Sequence, residues 1–314
     1  MASTTSVRVR GGLTTSRAVA LGRYTTSWIF LVPTLIFFVG WQLYPILRVL
    51  WMSFTDYHFL RNQPAAWTGV TNYVNAAADP LVWTGLLRAA TFTALFLPGM
   101  IFVPMVLAIL VDRVSHPTLA ATYRLILLIP AVIPGPLIFV LWKWLYNFNI
   151  GPINYLLVQA HLTTPQTAPQ WLGDPILTLP AIAIMEVWWG LGYHTMFYLA
   201  GLAAIPRELF EAARVDGANE WNLFWHVTLP RLRPILLVLV VLRFGTAMAV
   251  IDEYLILGGF NRALPTYTWT VYMWDMAFQI GDWFQGYAAA IGWIGAVAML
   301  IVVGGLFWVF RDRD

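Results

Sequence analysis

Few residues in this chain could carry out chemistry, and their spacing argues against most enzymatic reactions. The only lysine, Lys143, stands between two tryptophans and not in a Gly-Lys-Ser or Gly-Lys-Thr loop, so no phosphate-binding loop is present. The five histidines form none of the His-x-x-x-His or Glu-x-x-His pairs that bind zinc or a di-iron centre. They are His58, His116, His161, His194 and His226. With no cysteine and no Gly-x-Ser-x-Gly turn, we predict no catalytic residue, metal or cofactor.

One polar segment has a clear local plan, and it reads EAARVDGANEWNLFWHVTLP from Glu211 to Pro230. Pro206, just before it, suits the first turn of a helix, where its missing N–H is not needed. Asp216-Gly217 predicts the end of that helix, because glycine readily adopts the left-handed conformation. Asn219 is expected to cap a second helix, which Leu229-Pro230 is expected to end. The segment is therefore predicted to be a helix–turn–helix hairpin.

The second helix of this hairpin is predicted to be amphipathic. Aromatic residues and a threonine recur at i, i+3, i+4 and i+7, which places them on one face. They are Trp221, Phe224, Trp225 and Thr228. Two interpretations are open at this point: the aromatic face lies on lipid, or it packs on the rest of the protein while the acidic first helix docks a partner.

The elements that position this hairpin are long apolar stretches. The 314 residues are 60% hydrophobic and 11% charged, against about a quarter charged in a typical soluble domain. A membrane span needs about 20 predominantly apolar residues. Six stretches qualify: 28–52, 85–112, 124–146, 178–202, 234–257 and 286–310. We predict an all-α integral membrane protein with six transmembrane helices in one domain over 28–310, and with the hairpin (about 206–233) between spans four and five.

Local features refine these spans. Pro130, Pro134 and Pro136 interrupt the backbone hydrogen bonds of the third span, so we predict that this span is bent. Short interfacial helices are expected between spans, at about 81–87 and 153–160. The seventeen tryptophans are expected mainly at the two membrane surfaces, where indole rings position the spans.

The arginines predict the orientation of the chain. Twelve of them precede the first span, follow the second, bracket the hairpin or close the chain: Arg8, Arg10, Arg17, Arg23, Arg113, Arg124, Arg207, Arg214, Arg231, Arg233, Arg311 and Arg313. The positive-inside rule then places both termini and the hairpin in the cytoplasm. Residues 1–27 are predicted to be a disordered tail without a secretory signal, and 311–314 a second tail. Because the arginines are scattered between spans, we expect no nucleic-acid partner.

Two spans carry small and aromatic residues at matching spacing. These residues are Trp189, Gly190 and Tyr193 in the fourth span, and Phe244, Gly245 and Met248 in the fifth. Each set lies on one helical face, with a glycine where something can approach the backbone. The pattern is compatible with the lining of a solute pathway and also with ordinary packing between helices.

Charged residues inside the spans are the remaining candidates, because a charge in a bilayer is costly and is usually retained for function. Glu186 falls in the fourth span and Arg243 in the fifth. Either the two form a salt bridge that holds the spans together, or Arg243 faces a cavity. In the second case it would favour an anionic or strongly hydrogen-bonding solute such as a sugar phosphate.

The hairpin also resembles a known family. Glu211-Ala212-Ala213, Asp216-Gly217-Ala218, Phe224, Val227 and Leu229-Pro230 are similar to the EAA loop in permease subunits of binding-protein-dependent ABC importers. The resemblance to maltose-type sugar permeases covers roughly 28–310. It includes GVTNYV at 69–74, IPAVIP and LWKWLYN within 129–147, GPINYLL at 151–157 and LAGLAAIPRELFEAA at 199–213.

This resemblance implies a type I ABC importer permease fold in a bacterial plasma membrane. It implies that the loop is a coupling helix for a cytoplasmic ATPase, with Glu211 making the polar contact and Gly217 allowing the turn. Gly190, Tyr193 and Phe244 match the sugar-pathway residues of the family. The implied partners are a second permease, two ATPase subunits and an extracytoplasmic solute-binding protein, and the implied solute is a sugar, polyol or sugar phosphate. The alternatives are an ion-gradient-driven transporter and a non-transporting membrane scaffold.

Overall fold

Helices dominate the protein, because an apolar run in a bilayer must pair its backbone groups within its own segment. The computed structural model describes residues 31–61, 64–279 and 284–310, so the predicted tails at 1–27 and 311–314 lie outside the described residues. The helices are α1 (Leu31–Ser53, π-helical over Phe38–Leu43), α2 (Thr71–Ala78), α3 (Pro80–Asp112), α4 (Pro117–Val132), α5 (Gly135–Leu145), α6 (Pro152–Gln159), α7 (Thr178–Ala203), α8 (Arg207–Val215), α9 (Glu220–Leu223), a π-helical stretch (Phe224–Thr228), α10 (Leu229–Met248), α11 (Asp252–Leu257), α12 (Trp269–Phe278) and α13 (Gln285–Phe310).

Three of the helices described are long and apolar enough to cross a membrane, namely α1, α3 and α13. The pair α4 and α5 makes a fourth if it counts as one span. Helices α7 and α10, with 26 and 20 residues, are long enough to cross a membrane but are less apolar or more charged than these. Buried Glu186 and His194 lower the hydropathy of α7, and α10 carries arginines. The count of six spans stays a prediction.

The predicted bend in the third span is confirmed. Helices α4 and α5 meet at 92° around Ile133 and Pro134. The carbonyl of Ile133, which leaves the helical ladder there, accepts a hydrogen bond from the indole N–H of Trp189 at 3.2 Å. The prolines therefore break the helix where another helix supplies the missing donor.

Helix α3 lies at the centre of the second of two compact units, Met1–Met52 and Ser53–Asp314. It packs against α7, α10 and α12. Toward its first half, Phe92 and Phe96 stack at 5.5 Å and Met100 is buried beside them. Toward its second half, Met105 is buried in another cluster that includes Tyr198 of α7. In the first unit, the guanidinium of Arg48 lies over the ring of Trp51 on α1.

The predicted fifth span, 234–257, is not one helix. Helix α10 ends at Met248, and α11 begins only at Asp252. The break is stabilised by α12, because the indole N–H of Trp269 donates to the carbonyl of Met248 at 2.8 Å. The hydroxyl of Thr270 donates to the carbonyl of Val250 at 2.5 Å. These donors satisfy carbonyls that a continuous helix would have paired itself.

The prediction that Leu229-Pro230 ends the second hairpin helix is wrong. The backbone stays helical through Leu229 into α10. The preceding turn is π-helical, with the N–H of Leu229 reaching back five residues to the carbonyl of Phe224. Proline has no N–H to donate, and it is tolerated at the start of a helical segment.

The expected short helices between spans are found in different forms. The segment 153–160 lies largely in α6, a separate helix of 8 residues. The segment 81–87 is the first part of the long helix α3 and not a helix of its own. Proline follows the N-cap in both α3 and α6, as expected for a helix start.

Asp79 caps α3 and joins it to two other helices. Its Oδ1 accepts from the amide of Leu81 at 2.9 Å. Its Oδ2 accepts from the hydroxyls of Tyr272 at 2.5 Å and Tyr287 at 2.8 Å. Burial raises the pKa of Asp79, but the hydrogen bonds from Tyr272, Leu81 and Tyr287 together lower the pKa below its ordinary value.

Replacing Asp79 with Asn should lower the free energy of unfolding by about 1–3 kcal/mol, because hydrogen bonds to a charged acceptor are lost. Since the folded-state pKa lies below the ordinary value of about 3.9, the wild-type contribution is fully present above that pH and is lost as the pH falls through the folded pKa. Thermal unfolding in detergent between pH 3 and 7 measures both effects. Tyr155→Phe, at an exposed hydroxyl of α6, is the control and should change neither.

Candidate functional site

The turn of the hairpin has the geometry that its sequence predicts. Helix α8 begins at Arg207, one residue after Pro206. Gly217 has φ +84°. The amide of Ala218 donates to the carbonyl of Ala213 at 2.9 Å, and the amide of Gly217 donates to that of Arg214 at 3.0 Å. This pair of bonds is a Schellman motif, which explains the glycine at that position.

The second helix of the hairpin starts as predicted. The side-chain oxygen of Asn219 accepts from the amide of Asn222 at 2.9 Å. The turn between the two helices is therefore only four residues long, from Asp216 to Asn219. A capped and closed turn of this kind presents a fixed shape.

The four residues predicted to share one face of the second helix differ in burial. Thr228 is buried and Phe224 packs partly into the cluster around Tyr198, but Trp221 and Trp225 are 67% and 45% exposed. The two indoles pack edge to face at 5.6 Å, and the ring of Phe224 lies 5.1 Å from that of Trp225. The three aromatic residues therefore lie together.

Two arginines hold the hairpin together and to the bundle. Arg113, at the end of α3, pairs with Glu220 at 2.5 Å. Arg214, at the end of α8, pairs with the other oxygen of the same carboxylate at 3.5 Å. Glu220 thus connects both hairpin helices to α3. All of these side chains are more than half exposed.

An open groove with room of about 580 Å³ lies between the hairpin and the ends of α3 and α7. Its lining is mixed, with basic Arg207 and apolar Phe210 beside acidic Glu211. Glu211 is exposed, and it forms no hydrogen bond or ion pair within the residues described. Its carboxylate is therefore available to another molecule.

The other residues of the predicted coupling loop surround this turn. Ala212, Asp216, Gly217 and Pro230 are exposed, and Ala213, Ala218 and Leu229 are half-buried. The exposed members form the outer surface of the hairpin. The half-buried ones support it.

The six predicted pathway residues do not share one surface. Tyr193 is 53% exposed, and Gly245 has open space beside its Cα. Phe244 and Met248 are buried in the core around α3. Trp189 is half-buried, packing edge to face on Phe139 at 5.6 Å.

Gly190 is a packing position in the structure. A Cβ added to Gly190 would lie 2.0 Å from the terminal methyl of Met100, so the group that approaches this backbone is a side chain of α3. The assignment of Gly190 to a solute pathway stays a prediction. The observed contact is the one that close helix packing produces.

The two charged residues predicted to lie within spans, Glu186 and Arg243, are not paired with each other. The ion pairs in the described part of the chain include none between Glu186 and Arg243. Instead, Nε of Arg243 donates to Nε2 of His194 at 2.6 Å. Glu186 is 8% exposed, and its Oε1 has no hydrogen-bond partner.

Sequence reasoning missed three residues of these sites. Glu220 and Arg113 are 107 residues apart, and charge type alone gave no reason to pair them. In the sequence, His194 is distinguished only as one of five histidines that form no metal-binding pair. The signal available was its position four residues after Gly190, whose carbonyl its Nδ1 contacts at 2.8 Å.

Fold and site together define an all-α membrane protein that carries a structured polar hairpin. Residues 82–311 match the family described as binding-protein-dependent transport system inner membrane component. The chain belongs to this family of transport permeases.

Individual relatives agree with this membership. The chain is 29% identical over 307 residues to the lactose transport system permease protein LacF of Rhizobium radiobacter, covering 96% of this chain and 99% of the relative. Its fold is similar to that of a chain in a bacterial ABC transporter involved in the import of the acidic polysaccharide alginate. The TM-score is 0.80 and the identity is 24%, with 95% of this chain and 99% of that chain covered. A second structure shows the alginate transporter with an alginate pentasaccharide-bound periplasmic protein. The TM-score to it is 0.77 and the identity is 23%, with 93% of this chain and 96% of that chain covered.

Replacing Glu220 with Ala should loosen the hairpin, because both of its ion pairs are lost. Exposed pairs contribute about 0.2–1 kcal/mol each, so the loss of two should accelerate amide hydrogen exchange over α8 roughly twofold to thirtyfold. Exchange followed by mass spectrometry on the purified protein measures this. Glu208→Ala removes an exposed carboxylate that has no partner among the described residues, and it should leave exchange unchanged. Equal exchange in both variants would contradict the anchoring role.

Proposed function

We propose that this protein is a six-span permease subunit of an ATP-driven importer and forms half of the translocation pathway for a carbohydrate or related solute. Membership in the binding-protein-dependent transport family supports the transport role. The same membership favours it over an ion-gradient-driven transporter or a non-transporting scaffold. In this proposal α7 and α10 complete the set of spans, and both termini lie in the cytoplasm.

The hairpin is proposed to be the element through which a separate ATPase acts. The observation that carries this proposal is the exposed, unpaired carboxylate of Glu211 on a rigid turn closed by Gly217. A partner that supplies a cationic or N–H donor group would pair Glu211 without breaking any contact within the described residues. Because Arg113 and Arg214 both bind Glu220, a force on the turn would reach α3 as well as α7 and α10.

The remaining partners follow from the same proposal. One such subunit supplies half of a pathway, so a second permease completes it, together with two ATPase subunits and an extracytoplasmic solute-binding protein. Support comes from the alginate transporter, which was solved with a periplasmic protein bound to its saccharide. The lactose and alginate systems among the relatives support a carbohydrate as the solute.

Replacing Glu211 with Lys should abolish ATP-dependent uptake while leaving the protein folded and inserted. The reversed charge would repel the group that pairs with Glu211, and no contact in the described part of the chain depends on this side chain. Proteoliposomes that contain the complete importer measure uptake, and co-purification of the ATPase measures docking. We expect at least a tenfold loss of both.

Glu208→Lys is the matched control, because it reverses an exposed charge one turn earlier on the same helix. It should retain most of the uptake and all of the docking. Normal uptake by the Glu211→Lys importer would refute the proposed role of the hairpin.

A further inference from the structure

We propose that Arg243 recognises an anionic group on the transported saccharide, a carboxylate, sulfonate or phosphate, inside the membrane. This inference rests on the proposed function, since it names the solute class of the same permease. It starts from the contacts of Arg243, which lies on α10 and faces α7 through His194.

His194 fixes the orientation of the guanidinium. Its Nδ1 lies 2.8 Å from the carbonyl of Gly190, which can only accept, so Nδ1 must carry the hydrogen. Its Nε2 is then an acceptor, and it receives the Nε–H of Arg243 at 2.6 Å. The chain of bonds from Gly190 through His194 to Arg243 is thus complete and has one consistent tautomer.

The two terminal nitrogens of Arg243 remain without partners. Among the described residues they form no hydrogen bond to any acceptor and no ion pair with a carboxylate. Arg243 is half-buried, but its terminal nitrogens are not among the buried unpartnered side-chain atoms of the described residues, so they reach the accessible surface. An arginine held by Nε presents its other N–H groups as a planar fork, which matches the two oxygens of an oxyanion.

Glu186 is not the acceptor for the terminal nitrogens of Arg243. It is near enough to Arg243 to interact electrostatically, but the two form no ion pair. Its own Oε1 is buried and has no hydrogen-bond partner in the described part of the chain. The terminal N–H groups of Arg243 therefore have no acceptor in the described part of the protein and can pair with a charged group of a solute.

The surroundings of the fork are suited to a sugar. The ring of Tyr193 packs edge to face on that of His194 at 5.7 Å, and Tyr193 is 53% exposed. Its ring packs edge to face on that of Phe197 at 4.9 Å. An exposed aromatic ring beside a cationic fork offers a face for a pyranose ring and a fixed point for an acidic substituent.

The experiment compares cellobiouronic acid with cellobiose, which differ by one carboxylate. The complete importer in nanodiscs is titrated with each sugar, and tryptophan fluorescence gives the Kd. For the wild type we expect roughly 10- to 100-fold tighter binding of the acidic sugar, the effect of a charge-assisted hydrogen-bonded pair. Arg243→Met should remove this preference. Arg243→Lys should keep a smaller one, because an ammonium group has no fork.

The role of His194 in orienting Arg243 is tested by the ratio of the Kd for cellobiose to the Kd for cellobiouronic acid. His194→Leu should lower the preference, and His194→Gln, whose amide oxygen can accept from Nε, should restore part of it. A merely structural role would weaken both sugars equally and leave the ratio unchanged. Arg233→Met, at an exposed arginine near the start of α10, is the control and should retain the wild-type ratio.

Equal Kd values in the wild type, no binding of the acidic sugar, or a preference that survives Arg243→Met would each overturn the inference. If ATP-dependent uptake of a saccharide persists in that case, the proposed function stands. If the carboxylate preference is found but no saccharide is taken up with ATP, the proposed function fails and the anion site remains.

Discussion

The structure depends on one constraint, that a backbone group at membrane depth must find a partner within the protein. Long helices meet it by themselves, and the two breaks in the helical bundle meet it with indole N–H groups. Trp189 donates to Ile133 at the bend between α4 and α5, and Trp269 donates to Met248 at the end of α10. These two tryptophans therefore stabilise the interior of the bundle.

Much of the fold could be predicted from local signals. The proline bend, the left-handed Gly217 and the cap at Asn219 each depend on a few adjacent residues, and the structure confirms them. The errors have another origin. Pro230 fits inside the helical path because a π-helical turn precedes it, and the chain breaks after Met248 because α12 supplies donors to the freed carbonyls. Neither condition could be recognised from the adjacent residue types, since no residue marks the π-helical turn and the donors Trp269 and Thr270 come from another helix.

The candidate sites were predicted less completely, for a related reason. Periodicity places Gly190 and Tyr193 on one face of a helix but does not identify what each of them meets. Gly190 meets Met100 of α3, whereas Tyr193 is exposed. In the same way, opposite charge pointed to Glu186 as the partner of Arg243, and the neutral ring of His194, 49 residues away in the chain, takes that place. Close contacts between distant segments depend on the full packing of the bundle.

The hairpin and the proposed anion site are mechanically connected. From Glu220 to Met248 the backbone is helical without a break, so Arg243 lies about 35 Å along one continuous element from the turn. His194 lies on α7, which leads into the other side of the same hairpin through the short link before α8. A force on the hairpin would thus reach both partners of the Arg243–His194 bond, along two different helices. If α7 and α10 shift relative to each other during transport, the orientation of the fork changes with them, and so would the affinity for an anionic solute.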